Sequence, residues 1–293
     1  MSAGLSFRRP GTAALAWTLY PLLRRVEFPG KRRLRRVLPA PTSGTATVRI
    51  RGGALLALDL GEILQRDTFV GLFDCVELDI VKRCLSAGGD FVDVGAHVGI
   101  YGTTACRALR AGRRALLFEP NPVARAQLER NLELNGGDVA ATVLPAAASD
   151  RPGTAVLHVP TSSDASWSSL QGGGFAEGAP IDVETTTVDR EVERLGLVPS
   201  LIKIDVEGHE LVVLAGAAGT LERHRPAVIC EVGQDTAFAV AERAEALGYT
   251  VYRARHRHAT LGVGTPGGIF NVVLVPTGRE RAVLGRRAGR PMA

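Results

Sequence analysis

Two acidic side chains stand on either side of a glycine-rich turn in this 293-residue chain. Asp93 lies two residues before Gly95, and Glu119 ends the next apolar segment. Glycine permits a sharp turn and a close approach of the backbone to a ligand, and the free N–H groups that open the following helix favour a carboxylate or a phosphate. An acid at the position of Glu119 can accept both hydroxyls of an adenosine ribose. The turn and the two acids therefore predict a ligand that contains adenosine.

The turn DVGAHVG distinguishes between two classes of adenosine ligand. A dinucleotide fingerprint needs glycine where this chain has His97, whose side chain would obstruct a pyrophosphate. The charge of Asp93 is also poorly placed against a pyrophosphate but well placed against a cation. S-adenosylmethionine carries an ammonium and a sulfonium beside its adenosine, so it suits Asp93 and Glu119 better than a dinucleotide does. A nicotinamide-dependent oxidoreductase remains as the alternative function.

A second group of charged residues lies in the segment KIDVEGHE, which begins at Lys203. The two-residue period of a strand puts Lys203 and Asp205 on one face. Because buried charges are costly unless they are paired, we expect these two to pair, and Asp205 and Glu207 to meet the ligand. Glu231 ends the next apolar segment, so three carboxylates can converge, but the spacing is too loose to predict a metal site. The alternative is a structural ion pair followed by a capping acid.

These positions fall at the ends of apolar segments that alternate with helical patterns. Near-continuous apolar strands separated by helices indicate an α/β fold in which a parallel, doubly wound sheet is covered on both faces. Ligands of such sheets bind beyond the carboxyl ends of the strands. We predict a hairpin at residues 46–60 and strands at 90–95, 115–119, 141–148, 154–159, 183–188, 201–206, 227–232, 250–254 and 270–275. We predict helices from about residue 74 to the glycines at 88–89, over 100–109, 123–134, 189–195 and 238–247, and from 209 onward.

A Ser/Gly-rich stretch at residues 161–180 interrupts this alternation. It is too long for a simple connection, which favours a functional lid. Trp167 in this stretch either closes over the substrate or anchors the loop, and the sequence leaves both interpretations open.

A series of motifs runs along most of the chain. In order, they are DVGAHVGIYG, FEPNP followed by LERNLELN, AAASDRPG, VETTTVD, KIDVEGHELVVLAGA and RPAVICEV. In combination they resemble the FkbM family of S-adenosylmethionine-dependent methyltransferases over roughly residues 70–275, although that family usually has Asn where this chain has His97. The resemblance implies a Rossmann-like class I methyltransferase sheet of seven strands with the last strand antiparallel, and typically methylation of a hydroxyl.

The resemblance also implies which residues form the site. Asp205 and Glu207 would face the methyl acceptor. Because an alcohol must lose its proton during transfer, a base is useful, and Asp205 is the first choice. His209 is the second choice because a neutral imidazole is matched to neutral pH; the alternative is an exposed helix residue. The cofactor would be held by Asp93, Gly95, His97, Gly99 and Glu119, with Ala148, Ser149 and Asp150 near the adenine.

Charge is distributed unevenly between the ends of the chain and its middle. The chain is 45% hydrophobic with a net charge of +5, a composition typical of a globular protein. Residues 1–40 contain nine basic side chains and one acid, and residues 277–293 contain five Arg and one Glu. We interpret residues 1–45 as a basic arm, 46–276 as the methyltransferase domain and 277–293 as an Arg-rich tail. The arm is either solvated or in peripheral contact with a membrane.

Location and partners follow from features that the sequence lacks. No apolar run reaches the roughly 20 residues of a membrane-spanning helix, and the apolar stretch 13–23 is interrupted by Pro21 without a small-residue cleavage site. We therefore expect a cytoplasmic protein with a small-molecule acceptor such as a sugar, a lipid or a secondary metabolite. Two alternatives remain: a nucleic-acid methyltransferase that uses the basic ends, and a non-catalytic binding protein of the same fold. The first is disfavoured because aromatics are only 5% and no Asn/Asp-Pro-Pro-aromatic turn is present for a flipped base.

Overall fold

The structure is a computed structural model. It describes residues 6–7, 19–23, 41–73, 75–136, 140–160, 178–255, 258–263 and 268–285. Most of the predicted basic arm, residues 286–293 of the Arg-rich tail and residues 161–177, including Trp167, lie outside the described residues. Within the described part of the chain, no helix combines the length and the apolar character needed to cross a membrane.

The N-terminal elements form a small unit that packs against the main domain. Two short strands pair antiparallel and are followed by a hairpin and two helices. In chain order these elements are β1 (Ser6–Phe7), α1 (residues 19–23), β2 (Pro41–Ser43), β3 (Thr45–Arg49), β4 (Leu55–Asp59), α2 (Ile63–Val70) and α3 (Cys75–Ala87).

The rest of the described chain alternates strands and helices. The first half contains β5 (Asp90–Val94), α4 (Ile100–Ala108), β6 (Arg114–Phe118), α5 (Pro122–Glu133), β7 (Ala140–Leu144), β8 (Ala146–Ala148), β9 (Gly153–Pro160), β10 (Gly178–Thr186) and α6 (Val188–Leu195). The second half contains β11 (Pro199–Ile204), α7 (Glu210–Ala215), α8 (Ala218–His224), β12 (Ala227–Val232), α9 (Ala237–Ala246), β13 (Tyr249–Arg255), β14 (His258–Leu261), β15 (Phe270–Pro276) and α10 (Glu280–Leu284).

The main sheet has the strand order β14-β13-β15-β12-β11-β5-β6-β7. Strands β7, β6, β5, β11 and β12 pair in parallel, and β15 is antiparallel to both of its neighbours. This confirms the predicted seven-stranded, doubly wound sheet with its last strand antiparallel. β14 adds an eighth strand at the edge beyond β13.

Apolar side chains on both faces of the sheet explain why the strands are almost continuously hydrophobic. Successive residues of a strand point to opposite faces, so each strand contributes to two cores. One core contains Phe91, Leu117, Leu201, Ile229 and Val273, and the other contains Val92, Leu116, Ile202, Val228 and Leu274. Burial on both faces is the normal condition of a parallel sheet.

The predicted strand 141–148 is wrong as a single element. It divides at Pro145, where proline lacks the N–H that a ladder needs. β7 ends before Pro145 in the main sheet, whereas β8 pairs in parallel with β10 in a separate three-stranded sheet of order β8-β10-β9. β9 and β10, which correspond to the predicted strands 154–159 and 183–188, pair antiparallel there.

Three amide side chains fasten the hairpin to α5. These are Gln127, Asn131 and Asn135, spaced by four residues so that they share one helical face, and we call them the amide row. Asn135 exchanges two hydrogen bonds of 2.8 Å with the backbone of Leu55. Asn131 accepts from the Ala57 N–H at 2.8 Å, and Gln127 donates to the Ala57 carbonyl at 2.9 Å. The amide row thus takes the place of a neighbouring strand along the outer edge of β4.

The amide row also connects the hairpin to the glycine-rich turn. Asn131 is fully buried and donates to the Val98 carbonyl at 2.8 Å. Buried Gln65 in α2 accepts from the Asp59 N–H at 2.7 Å and receives a hydrogen bond of 2.7 Å from Gln127. The position of α2 relative to the turn after β5 is therefore set by buried hydrogen bonds.

Candidate active site

A cleft opens at the carboxyl ends of four parallel strands, β5, β6, β11 and β12. This is the edge where doubly wound sheets bind their ligands. Six of the sequence-predicted site residues line it: Gly95, His97, Glu119, Ala148, Asp205 and Glu207. The remaining lining residues are Leu64, Phe73, Val94, Phe118, Pro120, Ala147, Leu157, Val206 and Glu231.

The turn between β5 and α4 has an unusual backbone. Gly95, His97 and Gly99 all have positive φ angles, of 81°, 48° and 88°. Glycine adopts this conformation freely, but His97 does so at a cost. A Cβ on Gly99 would lie 2.6 Å from the Leu128 side chain, so this glycine allows α4 to pack on α5 and does not line the cleft.

The Glu119 carboxyl group is held by two backbone amides. Its Oε2 accepts from the His97 N–H at 2.6 Å, and its Oε1 accepts from the Asn121 N–H at 2.8 Å. Only 5% of Glu119 is exposed, and this burial raises its pKa to about 7. Each carboxyl oxygen has a further lone pair, so Glu119 can still accept hydroxyls from a ligand in the cleft.

His97 lines the cleft next to Gly95. Its Nε2 lies 4.0 Å from Glu62 Oε2, whereas its Nδ1 is buried and has no hydrogen-bond partner among the described residues. Burial lowers the pKa of this imidazole, which favours the neutral ring. A buried nitrogen without a partner at the wall of a cleft fits a polar group of a ligand.

Asp93 lies one residue layer beneath the cleft and does not line it. It is opposite Lys203 in the register of β5 and β11, and only 1% of it is exposed. Burial raises its pKa to about 7, against the opposing charge of Lys203. Its Oδ2 is a second buried atom without a hydrogen-bond partner in the described part of the chain. Direct contact of Asp93 with the cofactor stays a prediction.

Lys203 and Asp205 form the expected ion pair. The Lys203 ammonium lies 3.1 Å from Asp205 Oδ2, and only 1% of the lysine side chain is exposed. Lys203 also donates to the Ile204 carbonyl at 3.2 Å and to Asn271 Oδ1 at 3.4 Å, and it lies 5.1 Å from the centre of the Tyr101 ring. These contacts hold a positive charge directly beneath the acids of the cleft.

Three carboxyl groups converge where β11 and β12 end at the cleft. One oxygen from each of Asp205, Glu207 and Glu231 lies within 4.8 Å of the others. Burial raises the pKa of Glu207 to about 8 and that of Glu231 to about 10, so both side chains are largely protonated near neutral pH. Lys203 already provides the positive charge at Asp205, and we assign no metal ion to this cluster.

Ser149, Asp150 and His209 form a separate polar group. The Ser149 hydroxyl lies 3.4 Å from His209 Nε2 and 3.3 Å from Asp150 Oδ1. Burial lowers the pKa of His209. None of the three lines the cleft, although the neighbouring Ala148 does. The structure thus places His209 beside Ser149 and Asp150, the residues expected near the adenine, and not among the three carboxyl groups.

Glu231 lines the cleft with Asp205 and Glu207, as its position at a strand end led us to expect. Leu64 and Phe73, which also line the cleft, were not anticipated from the sequence; they come from α2 and the turn after it. No helix was predicted there because Gln65 and Thr68 are buried polar residues that obscure the apolar period.

A family model described as the methyltransferase FkbM domain matches residues 93–273, more than half of the chain. The chain belongs to the FkbM methyltransferase family. The match runs from the end of β5 into β15 and includes the glycine turn, Glu119 and the carboxyl cluster. S-adenosylmethionine is the cofactor that this assignment implies.

Solved structures of other methyltransferases show partial similarity. A methyltransferase FkbM from Methylobacillus flagellatus KT is 18% identical with a TM-score of 0.43, covering 64% of this chain and 43% of that one. A SAM-dependent methyltransferase from Agrobacterium tumefaciens is 12% identical with a TM-score of 0.46, covering 78% and 68%. The 293-residue chain matches only 43% of the length of the Methylobacillus protein. No curated protein matches the sequence.

The residues of the cleft fit this cofactor. Glu119 is fixed by two amides and retains lone pairs for a ribose diol. The unpartnered His97 Nδ1 can bond a polar group of the ligand. The lining residues include four acids and no Lys or Arg, so a positively charged ligand meets carboxyl groups whose ionised form it favours.

Proposed function

We propose that this protein transfers a methyl group from S-adenosylmethionine to a hydroxyl of an uncharged small molecule, such as a sugar, a lipid or a secondary metabolite. The observation that carries this proposal is the Asp205 carboxylate, which lines the cleft and is held at 3.1 Å by the buried Lys203 ammonium. An alcohol acceptor must give up its proton as it is methylated, and a positioned carboxylate can receive it.

The cofactor is assigned to the glycine-turn side of the cleft. Glu119 would accept the ribose hydroxyls, and Gly95 and His97 would lie along the ligand. Asp93 and Gly99 would act from beneath, by shaping the turn and the start of α4. The adenine would lie beside Ala148, with Ser149 and Asp150 at that end of the site.

The acceptor is assigned to the carboxyl cluster, and the protein's own residues orient it there. When bound, S-adenosylmethionine supplies a methyl group on a positively charged sulfur. Lys203 fixes the orientation of Asp205, which accepts the hydrogen bond of the acceptor hydroxyl. Holding the hydroxyl in one orientation converts a bimolecular reaction into an effectively unimolecular one. Glu207 would contact the same acceptor, whereas His209 is engaged by Ser149 and is the weaker candidate for a base.

Charge limits the class of acceptor. Glu119, Asp205, Glu207 and Glu231 all line the cleft, and His97 is the sole basic side chain among its described lining residues. A lining of this kind has no Lys or Arg to pair with a phosphate or carboxylate group near the reacting atom. This supports an uncharged acceptor over a nucleic acid, which presents a phosphate at every nucleotide.

The test is to identify the methylated product. Purified protein is incubated with metabolite extracts and S-adenosylmethionine labelled in its methyl group, and products that gain the label are identified by mass spectrometry. We expect the label in a C–O–CH₃ group of a small molecule, absent from reactions with an Asp205→Asn variant. Label in an N-methyl group or in RNA or DNA would contradict the proposal.

We also propose limits for the methyltransferase domain. We assign residues 46–276 to one methyltransferase domain because the hairpin and α2, which precede the family match, are bound to α5 by the amide row. The small acceptor is the partner we propose for this domain.

A further inference from the structure

Glu231 stands beside Asp205 at the wall of the cleft. β11 and β12 pair in parallel with Ile204 opposite Cys230, so the next residues along each strand, Asp205 and Glu231, leave the sheet side by side. One carboxyl oxygen of Asp205 and one of Glu231 lie within 4.8 Å of each other, and both residues line the cleft. Two carboxylates this close disfavour each other's ionised form. The pair therefore has a place for one proton at the active site.

The groups around Glu231 determine how firmly it holds this proton. Asp205 and Glu207 face it from the loop after β11, Lys203 lies on β11, and the opposite residue on β15 is the uncharged Asn271. Burial, followed by the charge of Asp205, raises the pKa of Glu231 to about 10 against the opposing charge of Lys203. This pKa lies above those of the other two glutamates that line the cleft, which are raised to about 7 and about 8.

We propose that Glu231 stores the proton removed from the acceptor hydroxyl and that the positive charge of the cofactor prepares Glu231 for this role, an inference that rests on the proposed function above. A cation beside a carboxyl group favours the ionised form. A sulfonium bound in the cleft therefore favours the release of protons to solvent from the carboxyl groups that face it, Glu231 among them. Asp205 then receives the proton of the hydroxyl, and the pair holds it on Glu231.

Charge and protons balance over this reaction. The hydroxyl O–H bond breaks, its proton passes through Asp205 to the Glu231 carboxylate, and the oxygen uses the electrons left to it to bond the methyl carbon. The sulfur–carbon bond breaks and its electron pair stays on sulfur, which becomes neutral. One positive charge on sulfur is replaced by one proton on Glu231, so the net charge of the cleft is unchanged.

The test measures the number of protons released when a ligand binds, and it does not require turnover. Isothermal titration calorimetry near pH 7, repeated in buffers of different ionisation enthalpy, gives the number of protons released when a ligand binds. S-adenosylmethionine is compared with S-adenosylhomocysteine, which has the same shape but a neutral sulfur. We expect release of up to about one proton for the sulfonium ligand and almost none for the neutral one. The variant Glu231→Gln should reduce the difference by the protons that Glu231 itself releases, whereas Glu242→Gln, at an exposed position on α9, should preserve it.

A second measurement needs no variant. Because the sulfonium ligand prefers ionised Glu231, its affinity relative to S-adenosylhomocysteine should rise as the pH increases toward about 10, the pKa of Glu231 in the ligand-free protein, by up to about tenfold per pH unit. Equal proton counts for the two ligands, or a full difference that survives in Glu231→Gln, would overturn the inference while leaving the methyltransferase proposal intact. Failure to bind S-adenosylmethionine at all would overturn both.

Discussion

Gly95 and Asp205 touch through their backbones at the floor of the cleft. A Cβ on Gly95 would overlap the carbonyl oxygen of Asp205, and the Asp205 N–H donates to the Val94 carbonyl at 2.9 Å. The turn expected to hold the cofactor therefore rests directly on the loop that carries the expected base. Any displacement of one must move the other.

We expect Gly95→Ala to destabilise the protein by about 2–4 kcal/mol, because it combines a left-handed backbone with a steric overlap. Gly112→Ala is the matched control, since Gly112 also has a positive φ of 77° but no atom within 4 Å of its would-be Cβ. Urea unfolding of both variants separates the stability lost to the steric overlap from the stability lost to the left-handed backbone. Equal losses of stability would show that the contact with Asp205 is not tight.

Glu119→Gln should weaken S-adenosylmethionine binding at least about tenfold, or about 1.4 kcal/mol. An amide cannot accept from both backbone N–H groups that now hold the carboxyl, so one of them loses its partner and the ribose loses an acceptor. Calorimetric titration measures the change, with Glu129→Gln on the exposed face of α5 as the control. Unchanged affinity would remove Glu119 from the cofactor site.

Asp205→Asn should leave S-adenosylmethionine affinity within a few-fold of the original but lower kcat by about 10²–10⁴-fold, the usual contribution of a general base. The amide keeps the shape of the carboxylate but cannot take up a proton. Asp182→Asn, at an exposed position on β10, provides the comparison. A rate equal to that of the unmodified enzyme would exclude Asp205 from proton transfer.

The free energy of unfolding of the cofactor-free protein should fall as the pH rises from about 4 to about 7. Burial raises the pKa of both Asp93 and Glu119 to about 7, whereas the unfolded chain loses these protons near pH 4. The folded state therefore binds more protons than the unfolded state in this window. Each extra bound proton lowers the free energy of unfolding by roughly 1.4 kcal/mol for every pH unit of increase.

Urea unfolding over a series of pH values tests this slope. Asp93→Asn should reduce it by the contribution of one proton, because the amide does not titrate. A rise in stability across the same window would mean that these carboxyl groups are ionised in the folded protein.

The parallel sheet was predictable because its strands are apolar on both faces and end in acids. The Lys203–Asp205 ion pair was predictable for a related reason: strand periodicity fixes two charges on one buried face, where they must be paired. Both inferences depend on residues close together in the sequence.

The parts that could not be predicted depend on residues far apart. Ser149 and His209 meet although 60 positions separate them, and no local pattern indicates that contact. The approach of Glu231 to Asp205 and Glu207 was expected from the strand ends, whereas the pairing of β12 with β11 that produces it is a long-range contact. Helix α2 was not predicted from the sequence because Gln65, which is buried and hydrogen-bonded, interrupts the apolar period of the helix.

The amide row has a consequence for the behaviour of the chain in a crowded solution. An unpaired strand edge can recruit a strand from another molecule and start aggregation. Side-chain amides occupy the backbone groups of Leu55 and Ala57, so this edge of β4 offers no template to a second chain. The residues that place α2 over the cleft therefore also protect the hairpin against self-association.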